Sequence, residues 1–179
     1  MLLTPGDLLV APPSLNHSSF SGSVVLLCST NPTMGMVLNH PTGTPLSRIA
    51  PDIESHMDTE IYWGGPVNTN TIWMLHTQDW SMHNTVDINT HWSITSNMRM
   101  FQKLGRGEWP EYWRVFAGSS VWTPGQLEAE VQQMGDGPRA QGWLTAHSPR
   151  PEDVLGADSH ELWQAGCEWV KNQAVAQWF

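Results

Sequence analysis

Two side chains reactive enough for covalent or acid–base work sit at the ends of apolar runs, Cys28 and His76. Cys28 closes the run Ser23-Val24-Val25-Leu26-Leu27-Cys28. A nucleophilic thiol needs its pKa lowered by a nearby cation or a helix N-terminus. Ser29 and Thr30, which follow it, supply neither, and free cysteines are habitually packed. Cys28 therefore reads as an inert core residue. His76 closes the run IWMLH. A catalytic base there would need a nucleophile and an orienting group. The chain has no GxSxG elbow, and Cys28 is the one plausible thiol partner. A hydrogen-bonded structural histidine is the simpler account of His76.

Other groups invite metal, anion or aromatic chemistry. His76, His83 and His91 fall within sixteen positions, with Asp79 and Asp87 between them. There is no HExxH and no close His-x-His pair, so no metal or cofactor is expected. Gly64-Gly65-Pro66 could converge backbone N–H groups on an anion. Yet a GxxxxGKS or GxxxxGKT loop is absent and Pro66 has no N–H, so a tight corner between strands is favoured. Arg99, Lys103, Arg106 and Arg114 are half of the eight basic residues and make the candidate anion-binding segment. Arg99 and Lys103 share a helix face at i, i+4. Glu108, Glu111 and Glu128 lie near enough to neutralise it, which favours a solvated face. Glu128 and Glu130 have no close carboxylate partner, so paired acid–base work is not indicated. Trp122, Trp143 and Trp163 could line a groove, but large aromatics usually bury most of their area, and core is favoured. Cys28, Asn39, Gly64, Gly65, His76 and Trp122 form the candidate ligand or partner surface.

The elements that must position these residues follow from apolar spacing. Leu8 to Ala11, Val24 to Cys28 and Met34 to Leu38 read as strands, the last ended by Asn39-His40-Pro41. Pro45 to Ile49 predicts a short helix. Residues 61–63 and 71–76 give strands around the Gly-Gly-Pro corner. Val86, Ile88, Trp92 and Ile94 alternate with polar residues, as a hairpin turning at Asn89-Thr90 or as one longer strand. Ser96 predicts an N-cap for a helix to Leu104, closed by Gly105. Trp113 to Ala117 is a further strand. Thr123-Pro124-Gly125-Gln126 opens a helix with a capping box, and Leu127 and Val131 are its buried pair. That helix should end near Gly135. Gly142 to Thr145 is a short strand, and Asp158 or Ser159 caps a last helix carrying Leu162, Trp163, Trp169 and Val170. There is no regular alternation of strand and helix, which argues against a doubly wound sheet.

Composition bounds the rest. At 179 residues the chain suits one domain with a real core. Eleven tryptophans against four phenylalanines suit cores and interfaces with partly wet edges. The net charge of −9 argues against nonspecific binding to nucleic acid or to an anionic membrane, though a local cluster could override it. Two cysteines make no disulfide framework or four-ligand zinc site. With no signal-peptide pattern and no run of eighteen apolar residues, the expected setting is cytoplasmic, away from the membrane.

Taken together, these blocks resemble the YqgE/AlgH family. They are Gly6-x-Leu8-Leu9-Val10-Ala11-x-Pro13, SVVLLC at Ser23, MGMVLNHP at Met34, WGGPV at Trp63, IWMLH at Ile72, ITS at Ile94, AGSSVWTPGQLEAEV at Ala117 and WL at Trp143. Order and spacing hold from residue 6 to about 165. The resemblance implies an α+β fold, one domain over 1–179 with a bifurcated, barrel-like, mostly antiparallel sheet and flanking helices. It implies no reaction, although some family members carry the label of transcriptional regulator. The chain departs from the family at Ser29-Thr30, where an acidic residue and histidine are usual, at Gly118-Ser119-Ser120 in place of Gly-Tyr-Ala, and at Arg99 in place of an acid. The expected function is a non-catalytic regulatory or binding module for a protein or small-molecule ligand. The alternatives are a thiol- or histidine-dependent enzyme with a pocket near the Gly64-Gly65-Pro66 corner, and a DNA-binding regulator using the Arg99–Arg114 segment.

Overall fold

The apolar runs become the inner strands of one sheet, because each is covered on both faces. The computed structural model describes residues 2–15, 18–53, 59–132 and 142–178. Its strands are β1 (Leu8–Val10), β2 (Val24–Thr30), β3 (Thr33–Val37), β4 (Pro41–Pro45), β5 (Glu60–Trp63), β6 (Val67–Thr77), β7 (Val86–Asp87), β8 (Trp92–Thr95), β9 (Trp113–Trp122) and β10 (Leu144–Ala146). The helices are α1 (Met100–Gly105), α2 (Gln126–Gln132), α3 (Pro151–Leu155) and α4 (Leu162–Ala176), with a 3₁₀ turn at Leu46–Arg48. The strands run in the order β10-β1-β2-β3-β9-β6-β8-β7, and β4 and β5 branch from this path. All described pairings are antiparallel except that of β5 with β9. This is the α+β, bifurcated, mostly antiparallel sheet that the resemblance implied.

The fork lies in β9. One of its edges pairs with β5 at Val115–Ala117 and then with β3 at Ser120–Trp122. The other edge pairs with β6. The chain must therefore pass from β5 across β9 to reach β6, and Gly64-Gly65-Pro66 makes that crossing. Gly64 N–H donates to Ala117 O at 2.9 Å, and Val37 N–H donates to Gly64 O at 3.0 Å. A Cβ on Gly64 would lie 2.3 Å from Gly118 O, and one on Gly65 2.3 Å from the Ser119 carbonyl. Gly65 and Gly118 both have positive φ, +149° and +77°. Only glycine allows both the close approach and these dihedrals.

Alternation distributes β2 between two layers. Val24, Leu26 and Cys28 enter a central cluster with Leu8, Met36, Trp92 and Phe116. Val25 and Leu27 face a second cluster with Leu9, Val37, Trp122 and Trp143, which Leu127 of α2 closes. A third cluster joins Met74 and Val115 to Met100, Phe101 and Leu104 of α1. Helix α4 lies over the central layer through Trp163, Trp169 and Val170, and Gly166 admits the methyls of Val10 and Val24.

Several boundaries differ from the sequence expectation. Helix α1 begins at Met100, not after Ser96, because the Asn97 side chain accepts Arg99 N–H at 3.0 Å and forms a turn there. β9 continues five residues past Ala117, since Ser119 and Ser120 are buried against neighbouring strands. The Val86–Ile94 stretch is the hairpin, with Asn89 Oδ1 accepting His91 N–H and Trp92 N–H at 2.8 and 2.9 Å. α4 starts at Leu162, one turn later than a cap at Asp158 or Ser159 would place it. The Pro45–Ile49 stretch is a single 3₁₀ turn, and β4 and α3 were not foreseen. α2 opens at Gln126 and not at Pro124, because Gly125 has a φ of +81°, although Gln126 does reach back as the capping box requires, with Thr123 N–H donating to its Oε1 at 3.0 Å; the expected end near Gly135 lies outside the described residues. No helix among the described residues is long and apolar enough to cross a membrane.

Candidate functional site

The two reactive side chains are placed apart, each committed to the interior. Cys28 occupies the irregularity between Leu27 and Ser29 in the β2–β3 ladder and points into the central cluster. Its Sγ–H donates to Leu26 O at 3.5 Å. Burial pushes the thiol pKa up to about 12, so almost no thiolate forms near neutrality. His76 is fully buried in β6 beneath the edge of Trp80, at 4.9 Å between rings. Its Nδ1 lies 2.8 Å from Thr77 O and its Nε2 2.9 Å from Thr95 Oγ1. A carbonyl can only accept, so Nδ1 carries the proton and Nε2 accepts from Thr95. Thr95 in turn accepts from Thr85 at 2.8 Å, and Thr85 accepts Met82 N–H at 3.0 Å. Burial holds the His76 pKa below its ordinary value, outweighing the Thr77 carbonyl and the charges of Asp79 and Asp87. His83 and His91 are exposed, and no group of three or more His, Cys, Asp or Glu among the described residues is placed to hold a metal ion.

The basic segment is likewise dispersed. Arg114 lies over the Tyr62 ring at 4.3 Å and donates to Leu38 O at 2.7 Å. Lys103 lies over Trp80 at 4.8 Å and donates to Ser81 O at 2.9 Å. Arg99 and Arg106 are exposed at the two ends of α1. Asn39 works as a backbone clamp. Its Oδ1 accepts Val24 N–H at 2.9 Å and its Nδ2 donates to Gly22 O at 2.8 Å.

Pro66 of the corner and Trp122, by contrast, meet at one concave surface, which Gly64 and Gly65 do not themselves line. A cleft of about 370 Å³ is lined by Phe20, Pro66, Ser120, Trp122, Gln126, Glu130 and Trp143, among others. The crossing over β9 sets its floor, for Pro66 faces it and Ser120 Oγ donates to Gly64 O at 3.2 Å. Three of its lining side chains, Phe20, Trp122 and Trp143, belong to an aromatic series that continues outside the cleft through Trp63 to His40. His40 stacks on Trp63 at 5.6 Å, Trp63 meets Phe20 at 5.8 Å, Phe20 meets Trp143 at 5.6 Å, and Trp143 meets Trp122 edge to face at 6.4 Å. Both indole N–H groups converge on one oxygen. Glu130 Oε2 accepts from Trp122 Nε1 at 3.1 Å and from Trp143 Nε1 at 2.9 Å. Gln126 Nε2 donates to Glu130 Oε1 at 2.9 Å.

Glu130 is the residue that spacing alone undervalued. The signal was present in the capped helix start, which puts Gln126 and Glu130 at i, i+4 on one face just after Trp122. What the sequence lacked was Trp143, brought in by the pairing of β10 with β1. Trp122 and Trp143 are nearly buried, yet their edges remain part of the cleft, so core and groove are not alternatives here. Trp163 packs against the central layer and donates to Ala11 O at 2.8 Å.

The sequence model of the AlgH-like family matches residues 8–174. A UPF0301 protein of Cereibacter sphaeroides is 32% identical over 167 residues, spanning 88% of this chain and 86% of its own. A UPF0301 protein of Ruegeria pomeroyi is 29% identical over 179 residues, spanning 95% and 93%. Among solved structures, the AlgH protein from Pseudomonas aeruginosa superposes with a TM-score of 0.73 at 23% identity, over 95% of this chain and 93% of that one. A protein of Corynebacterium diphtheriae gives 0.71 at 21% identity, over 92% and 86%. These structures share the fold.

Proposed function

We propose a binding function, not a catalytic one, for this chain, which belongs to the AlgH-like family. The observation that carries this reading is the Trp122–Trp143–Glu130 cleft, a walled concavity with an oriented polar group of the kind that holds small ligands. The groups that could react support the same reading from the other side. Cys28 is held as a thiol, and His76 has both ring nitrogens engaged in the interior. Regulation would then act through occupancy of the cleft, which abuts the fork where β3, β5, β6 and β9 meet. Two free cysteines suit a reducing, cytoplasmic setting.

The test is a small-molecule screen followed by the indole N–H signals of the ¹⁵N-labelled chain, with the proton spectra of the compounds recorded in the same samples. Some compounds are expected to shift the signals of Trp122 and Trp143 while staying chemically intact. The reading falls if none moves these signals, or if a compound is converted by a turnover that Cys28→Ala or His76→Gln abolishes.

A further inference from the structure

We propose that the cleft takes a small organic cation, an ammonium group carried on a few carbon atoms; this rests on the reading of the cleft as a binding site. Three N–H donors hold the Glu130 carboxylate, two indoles on Oε2 and the Gln126 amide on Oε1. A carboxylate offers about four acceptor positions, so one on Oε1 is left over. The donors are neutral. They fix the direction of the carboxylate without cancelling its charge. The ion pairs among the described residues involve His147, Arg150 and Lys171, and none reaches Glu130. An oriented negative charge thus stands half-buried at the cleft wall.

The rings beside it bound the space and supply apolar surface. Phe20, Trp122 and Trp143 line the cleft, with Trp143 at 79° to Trp122 and 78° to Phe20, and that surface suits the carbon atoms that carry the ammonium group. The alternatives fare worse. An anion would meet Glu130 and a chain of net charge −9. A neutral apolar ligand would strip water from the carboxylate and return nothing for it. The volume of about 370 Å³ suits a small molecule.

Choline and its uncharged isostere 3,3-dimethylbutan-1-ol separate these cases, each titrated into the full ¹⁵N-labelled chain. Choline is expected to move the indole N–H signals of Trp122 and Trp143 and to bind roughly tenfold or more tightly than the isostere. Glu130→Gln should close that gap, with the other indole signals unmoved as the sign of an intact fold. If that variant does not fold, the wild-type chain still decides, because salt should weaken choline binding and spare the isostere. Equal affinity for the two probes overturns the cation assignment and leaves the cleft a binding site. Choline without effect on either indole also overturns it, and the wider screen then judges the binding reading separately.

Discussion

His76 shows how a residue that looks catalytic can be spent on stability. Its proton is fixed on Nδ1 by Thr77 O, and Nε2 ends a donor chain through Thr95, Thr85 and Met82 N–H. With the ring neutral, every polar atom in that chain has a partner. Burial lowers the pKa of His76, and of His40, below the ordinary value of about 6.5. The unfolded chain protonates both rings near that value, so it binds more protons than the folded chain just below it. Stability is therefore complete above about pH 7 and falls as the pH drops through 6.5 toward the lowered folded values. The denaturation midpoint is expected to be lower at about pH 5.5 than at pH 7.5. His76→Gln should cost about 1–2 kcal/mol at pH 7.5 through its lost hydrogen bonds, yet lose less on acidification. Equal losses in the two proteins would remove His76 from this account. At this scale Cys28 was legible, because a β-branched run with no adjacent cation specifies burial. Glu130 was not, because its partners Trp122 and Trp143 reach it from the end of β9 and from the residue just before β10.

At the scale of elements, the composition of the Gly-Gly-Pro corner predicts a tight turn, and the structure gives it a harder task. It carries the chain from one edge of β9 to the other, and side chains cannot fit where the two backbones touch. Gly65→Ala combines a positive φ with a Cβ inside the Ser119 carbonyl. Gly43→Ala, on β4, has a positive φ of +75° but open space around the new methyl. Dihedral strain alone costs about 1–3 kcal/mol, so Gly43→Ala should lose about that much. Gly65→Ala should lose roughly 4 kcal/mol or more, or fail to fold, because β9 must move as well. Similar losses at the two sites by urea denaturation would mean that the crossing tolerates a side chain. The length of β9 was missed for a related reason. Gly118-Ser119-Ser120 has the composition of a loop, and the pairing of Ser119 with Val67 of β6 and of Ser120–Trp122 with β3 makes it strand.

For the molecule as a whole, strand content and family blocks were readable along the chain, while the fork was not, since it joins residue 61 to residue 115. The same tertiary pairing decides what the basic segment can do. Binding to a duplex is driven by counterion release, and each phosphate contact needs an available cation. Arg114 is drawn under Tyr62 to the Leu38 carbonyl, and Lys103 is drawn to Trp80 and the Ser81 carbonyl. Arg99 and Arg106 remain exposed, on a chain of net charge −9. Two cations on such a surface give at most a shallow salt dependence. A duplex of about 30 base pairs is expected to show no shift with the protein at about 50 mM salt, where electrostatic binding is strong. Tight binding whose logarithm falls with log salt at a slope steeper than about −4 would require at least four phosphate contacts. That result would mean a cationic surface other than the one this packing leaves exposed, and it would return the DNA-binding reading to first place.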